Sequence, residues 1–166
     1  RRHPHVFGAV AAPDAETVLT NWDAIKREEK GRSSVFEGIP SSQPSLGYAF
    51  AVQRKAAKVG FDWPDVHGAL PKIAEETAEL MQAAATDDPD AVRDELGDLL
   101  FAVVNVARHL DVEPESALRA AAQKFRTRFE AVERLAGVRG IDLHASDLAT
   151  LDALWDEVKQ HGAGGD

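Results

Sequence analysis

From residue 46 onward, apolar positions recur three and four apart rather than in alternation, the pattern of helices with one face turned inward. Between 65 and 86, Val66, Ile73, Leu80 and Ala84 form one stripe; between 90 and 110, Leu96, Leu99, Leu100, Val103, Ala107 and Leu110 form another. Gly60 stops a helix over 46–59, and Asp87-Asp88-Pro89 is the turn between helices over 65–86 and 90–110. Pro114 opens a helix that runs to 138, ahead of Gly140. Ser146 or Asp147 caps a last helix through Gln160. Upstream, the spacing predicts a helix over 15–30 and a long loop, rich in Ser with a Pro, over 31–47. The one alternating β-branched stretch surrounds Val6. The fold class is therefore all-α, and antiparallel helices with short turns predict a helical bundle. The division expected is a connector, helix and loop over 1–45, a helical catalytic domain over 46–160, and a disordered Gly-rich tail over 161–166.

The polar positions carry the chemistry. Glu75-Glu76-Thr77-Ala78-Glu79 is followed, after fifteen residues, by Glu95-Leu96-Gly97-Asp98. At about 100° per residue, Glu76 and Glu79 lie to one side of the first apolar stripe, and Glu95, Asp98 and Asn105 flank the second. Glu75 points almost directly away from the apolar face and is the least suited to an inner position. With 28 acidic residues in 166, roughly five acidic pairs at i,i+3 arise by chance, so one pair reads as a solvated helix face. Two pairs at the margins of adjacent stripes are another matter. Carboxylates half withdrawn from water repel each other unless a cation is present, and four hard oxygen donors suit Mg²⁺ or Mn²⁺. That is the pattern of an enzyme acting on phosphates through metal.

Composition narrows the field. The 166 residues, 44% of them hydrophobic, suffice for one domain of ordinary size. There is no cysteine, which excludes disulfides, thiolate metal sites and cysteine nucleophiles and fits a cytoplasmic location. No apolar run approaches the roughly 18 residues of a membrane span. A net charge of −9 argues against a nucleic acid polymer, though not against a single nucleotide. Arg1-Arg2-His3-Pro4-His5 does not read as a signal peptide, and without an initiator Met the chain reads as a piece of something longer. No Glu has a His three residues later, so a carboxylate di-iron bundle is disfavoured.

With these residues in place, the chain resembles the MazG nucleoside triphosphate pyrophosphohydrolases, especially the catalytic, C-terminal half of the two-domain bacterial members. Glu75, Glu76, Glu79, Glu95 and Asp98 meet the family's acidic pattern. Gly97 to Leu110, Gly60-Phe61-Asp62-Trp63, Asn21-Trp22 with Ile25-Lys26, and Lys124-Phe125 with Arg128-Phe129 also read like family segments. The resemblance implies an all-α dimer that uses Mg²⁺ to hydrolyse a nucleoside triphosphate (NTP or dNTP) to the monophosphate and pyrophosphate. Water activated by metal would attack the α-phosphorus. It implies Glu76, Glu79, Glu95 and Asp98 as metal ligands and catalytic residues. It places Asn105 against the nucleotide, Lys124 and Arg128 on phosphates, and Trp155 and Lys159 near the nucleotide.

Each role has a plainer alternative. Asn105 can be an amide satisfied inside a helix interface, and Lys124 and Arg128 can belong to a solvated face. Trp155 shares helical spacing with Leu148, Leu151 and Val158 and can be core. Lys72, one turn before Glu76, reads as that carboxylate's intrahelical partner. At the level of the whole protein, the alternatives are a house-cleaning enzyme specific for a dUTP-like or oxidised nucleotide, and a non-enzymatic helical interaction module.

Overall fold

A computed structural model describes residues 34–162, with side chains through Gln160. The helix predicted over 15–30, the connector, the Asn21-Trp22 and Ile25-Lys26 segments and the end of the tail lie outside the described residues. Within them there are five α-helices and no strand: α1 (Ser45–Ala57), α2 (Val66–Ala84), α3 (Pro89–His109), α4 (Pro114–Arg139) and α5 (Leu148–Gly162). None is long and apolar enough to cross a membrane. The chain divides into two compact units between Pro64 and Asp65. α1 belongs to the first and the other four helices to the second.

Each boundary has a local cause. The Asp65 carboxylate accepts the His67 N–H at 2.8 Å, and Asp88 accepts those of Asp90 and Ala91, satisfying amides that the first turn leaves orphaned. Pro89 and Pro114 occupy first-turn positions, where the missing N–H costs nothing. Glu113 caps α4 through the amides of Glu115 and Ser116; chiefly for the Ser116 bond, its carboxyl lies below the ordinary value of 4.5. Gly140 ends α4 at φ +66°, a conformation that suits glycine. α1 starts at Ser45, inside the predicted loop, because Pro44 with its fixed φ serves as its N-cap residue. At the other end, α5 runs to Gly162, so the first two residues of the predicted tail are helical.

The second unit is two helical hairpins in series. α2 packs along α3, α4 packs along α5, and α3 and α4 touch only slightly. The α4–α5 hairpin holds an ordinary core of Val132, Ala136 and Leu154, with Leu135, Ile141, Leu143, Trp155 and Val158 packed against it. The α2–α3 seam is built differently, from Ala69, Ala83 and Ala102, small residues that let two helices approach closely. Glu76, at 6% exposure, is buried in the same row, seven residues from each of Ala69 and Ala83.

Part of the apolar surface predicted to face inward stays open: Leu96, Leu100 and Val103 are close to half exposed and Leu110 is 56% exposed. Beside them, Leu70 is 45% and Met81 70% exposed. On helices turning about 100° per residue, these positions lie from about a quarter-turn to nearly a half-turn from Ala69, Ala83 and Ala102, on the side opposite Glu79, Asp98 and Asn105. The hairpin thus has an apolar side and an acidic side.

Candidate metal centre

α2 and α3 each place two of the predicted carboxylates one turn apart, and their antiparallel packing brings the two pairs together. Carboxylate oxygens of Glu76, Glu95 and Asp98 lie within 4.8 Å of one another, as do those of Glu75, Glu76 and Glu79. Glu76 belongs to both groups. Sequence periodicity puts Glu76 at the margin of an apolar stripe; the structure puts it in the seam itself. The reason is that α2 docks on its alanine row, rotated about 60° from the Val66–Ile73–Leu80 stripe, so the turn carrying Glu76 becomes the contact surface.

A buried carboxylate needs a partner. Lys72 Nζ lies 2.6 Å from one Glu76 oxygen and 2.9 Å from one of Glu75, as the spacing of Lys72 predicts. The bonds to Glu76 first, then Glu75, hold the Lys72 ammonium well above its ordinary range. Glu79 has no such cation. Although the residue as a whole is exposed, desolvation of its carboxyl group raises it above the ordinary value of 4.5; the Glu76 charge, a hydrogen bond to Glu76, and the Glu95 and Glu75 charges push the same way. Like-charged oxygens gathered around a half-neutralised buried carboxylate make a strong field for a hard cation. On donor chemistry, the residues present fit a divalent metal ion. Glu75, set aside on the helical wheel, comes within reach of Glu76 and Glu79, and its i,i+4 relation to Glu79 is the signal that indicates it.

The remaining predicted residues divide. Asn105, half-buried on α3, accepts a hydrogen bond from Arg108 Nη2 at 2.8 Å. Lys124 is exposed and Arg128 half-buried on α4, and Lys159 is exposed on α5. Trp155 packs on the second hairpin's core, with its ring 5.1 Å from that of Phe125, which in turn stacks at 6.0 Å on Phe129. Those four residues all belong to the second hairpin, α4 with α5. Among the described residues, no ion pair joins it to the carboxylates of the first, and α2 makes no substantial packing contact with α4 or α5.

Residues 65–133 match the MazG nucleotide pyrophosphohydrolase domain. A protein of Escherichia coli K12 named nucleoside triphosphate pyrophosphohydrolase is 42% identical over 165 residues, covering 96% of this chain and 63% of that protein. A Thermotoga maritima protein named nucleoside triphosphate pyrophosphohydrolase/pyrophosphatase MazG is 42% identical over 161 residues, covering 96% of this chain and 60% of its own length. The Bacillus subtilis protein YabN is 43% identical over 164 residues but is covered to only 33%. The chain therefore spans less than two thirds of the length of these relatives.

Proposed function

The chain belongs to the MazG nucleotide pyrophosphohydrolase family, and we propose that it hydrolyses nucleoside triphosphates to nucleoside monophosphate and pyrophosphate with a divalent cation, Mg²⁺ or Mn²⁺. The observation that carries this reading is Glu76, a buried carboxylate shared by two groups of acidic side chains from two helices. Glu76, Glu79, Glu95 and Asp98 would hold the cation. When bound, it supplies Lewis acidity that offsets phosphate charge and makes water a better nucleophile.

The chain's own residues do the rest. The alanine seam holds Glu76 in place, while Glu79 and Asp98, open to solvent, meet the incoming triphosphate. Lys124 and Arg128 neutralise phosphate oxygens, Arg128 with two parallel donors. Trp155, backed by Phe125, and Lys159 border the nucleotide, and Asn105 supplies an amide that both donates and accepts. No side-chain nucleophile is needed: water adds at the α-phosphorus, the bond to the bridging oxygen breaks, and pyrophosphate leaves. Because, among the described residues, no ion pair joins the basic side chains of α4 and α5 to the carboxylates, and because one side of the α2–α3 hairpin carries exposed apolar side chains, the working form is a homodimer whose subunits cover those apolar sides.

The test is pyrophosphate release from canonical and modified NTPs with Mg²⁺ in ¹⁸O-water. Label in the monophosphate and none in pyrophosphate is expected. Orthophosphate as first product, or labelled pyrophosphate, would overturn the point of attack. A monomeric mass in light scattering at micromolar concentration would overturn the dimer.

A further inference from the structure

Lys72 is tied to the metal centre more closely than a surface lysine needs to be. Its ammonium bridges Glu75 and Glu76 at 2.9 and 2.6 Å, and Glu76 is the one carboxylate common to both acidic groups. The side chain of Glu76 is 8% exposed, whereas that of Lys72 is 38% exposed. The carboxylate is thus fixed in the seam, while the cation that neutralises it reaches in from solvent and is free to leave.

A divalent ion bonds carboxylate oxygens at about 2.0–2.1 Å when it is Mg²⁺. An ion so close to Glu76 would stand within a few ångströms of the Lys72 ammonium, and two cations at that separation repel strongly in a partly desolvated site. Both cannot hold Glu76 at full strength.

We propose that Lys72 is a built-in counter-cation for the metal centre: it occupies Glu76 while no metal is bound and must release it when metal enters. The inference rests on the divalent-metal reading above. Lys72 is a positioning residue here, acting through Glu76. Its presence keeps the seam intact without metal and sets how much metal is required to load the site. The same competition lowers the apparent metal affinity by a constant factor, so more metal is needed to half-load the centre.

The experiment measures Mg²⁺ and Mn²⁺ binding by calorimetry on the full chain, without nucleotide, for the parent, Lys72→Gln and Lys72→Arg. Lys72→Gln should bind the ion on the order of tenfold more tightly, because a competing cation is gone. In chelator it should melt at a lower temperature than the parent, since the buried Glu76 then lacks any partner, and its gain in melting temperature on adding Mg²⁺ should be larger. Lys72→Arg should restore parent-like affinity. In the unmodified chain, the Lys72 side-chain ¹³Cε resonance should move during a Mg²⁺ titration and saturate with the same affinity as the calorimetry, a readout that does not depend on either variant folding. Equal or weaker ion binding by Lys72→Gln, or a Lys72 resonance that does not respond while the parent binds metal, overturns the Lys72 assignment alone. A parent that binds neither ion overturns the metal reading and this inference with it.

Discussion

The two hairpins of the second unit are close in size and connectivity but stabilised in opposite ways. α4 and α5 close over Val132, Ala136 and Leu154, with Trp155 and Val158 packed around them, so their seam draws on ordinary apolar burial. α2 and α3 meet over alanines and a buried glutamate, a seam with little apolar volume and a charge that Lys72 must neutralise. Several of their larger apolar side chains, Leu96 and Leu100 among them, stay close to half exposed, while Val104 of α3 is fully buried. What the difference teaches is that the first hairpin is arranged around its carboxylates, so on the reading proposed above its stability depends on what binds there and on what covers its open side. The second carries its own apolar core, and on the same reading its basic side chains serve the ligand.

That contrast can be broken most sharply at the carboxylates. Glu79→Gln and Asp98→Asn keep side-chain size while each removes a charge from the centre. Both should lower kcat by far more than tenfold, several kcal/mol of transition-state stabilisation, while helicity in circular dichroism is retained. A variant keeping more than about a tenth of the parent rate would detach the acidic side from the chemistry.

Next in size is the second hairpin's core. Leu154→Ala, at a position 2% exposed, should cost about 2–5 kcal/mol in urea denaturation, and metal should not recover the loss. Somewhat smaller are the effects of Lys124→Ala and Arg128→Ala. Each should weaken triphosphate binding by about 1.5–3 kcal/mol if its charge-assisted bond is made, with Mg²⁺ uptake in the absence of nucleotide unchanged. If either variant lost metal binding as well, the division of labour between the hairpins would be wrong.

Leu100→Ala probes the open side. With Leu100 48% exposed, truncation in an isolated subunit should cost only about 1 kcal/mol. A larger cost that grows as the protein is diluted shows that a second subunit covers this residue. A small cost independent of concentration would leave the apolar side uncovered.

The smallest effect concerns the start of α5. Asp147 accepts the Thr150 amide at 2.9 Å. The hydrogen bonds from the Thr150 side chain, and then its backbone, hold the Asp147 carboxyl below its ordinary value of 3.8. A lowered carboxyl binds fewer protons in the folded than in the unfolded chain, so its contribution is complete above 3.8 and is lost as pH falls through the folded value. Asp147→Asn keeps the cap but not the titration. Thermal melts between neutral and strongly acidic pH should therefore decline less steeply in the variant than in the parent; parallel declines would remove Asp147 from the acid response.

Much of this was legible along the chain. Aspartates ahead of α2 and α3, prolines in the first turn of α3 and α4, and Gly140 after α4 mark helix ends through local hydrogen bonding and φ preference, which need no tertiary partner. The spacing of Glu76, Glu79, Glu95 and Asp98 likewise fixes which carboxylates share a helix face, because a helix turns by the same angle whatever it packs against. Capping and spacing are local, and the sequence determines them by itself. Which side of α2 becomes the seam is not local. Hydropathy favours the Val66–Ile73–Leu80 stripe, yet α2 docks on Ala69 and Ala83, where the absence of bulk lets the backbones approach. That choice carries Glu76 inside, where its carboxylate comes within reach of Glu95 and Asp98 of α3. Only the tertiary structure decides it, because close packing of two surfaces depends on the shape of both, and one helix's periodicity describes only its own.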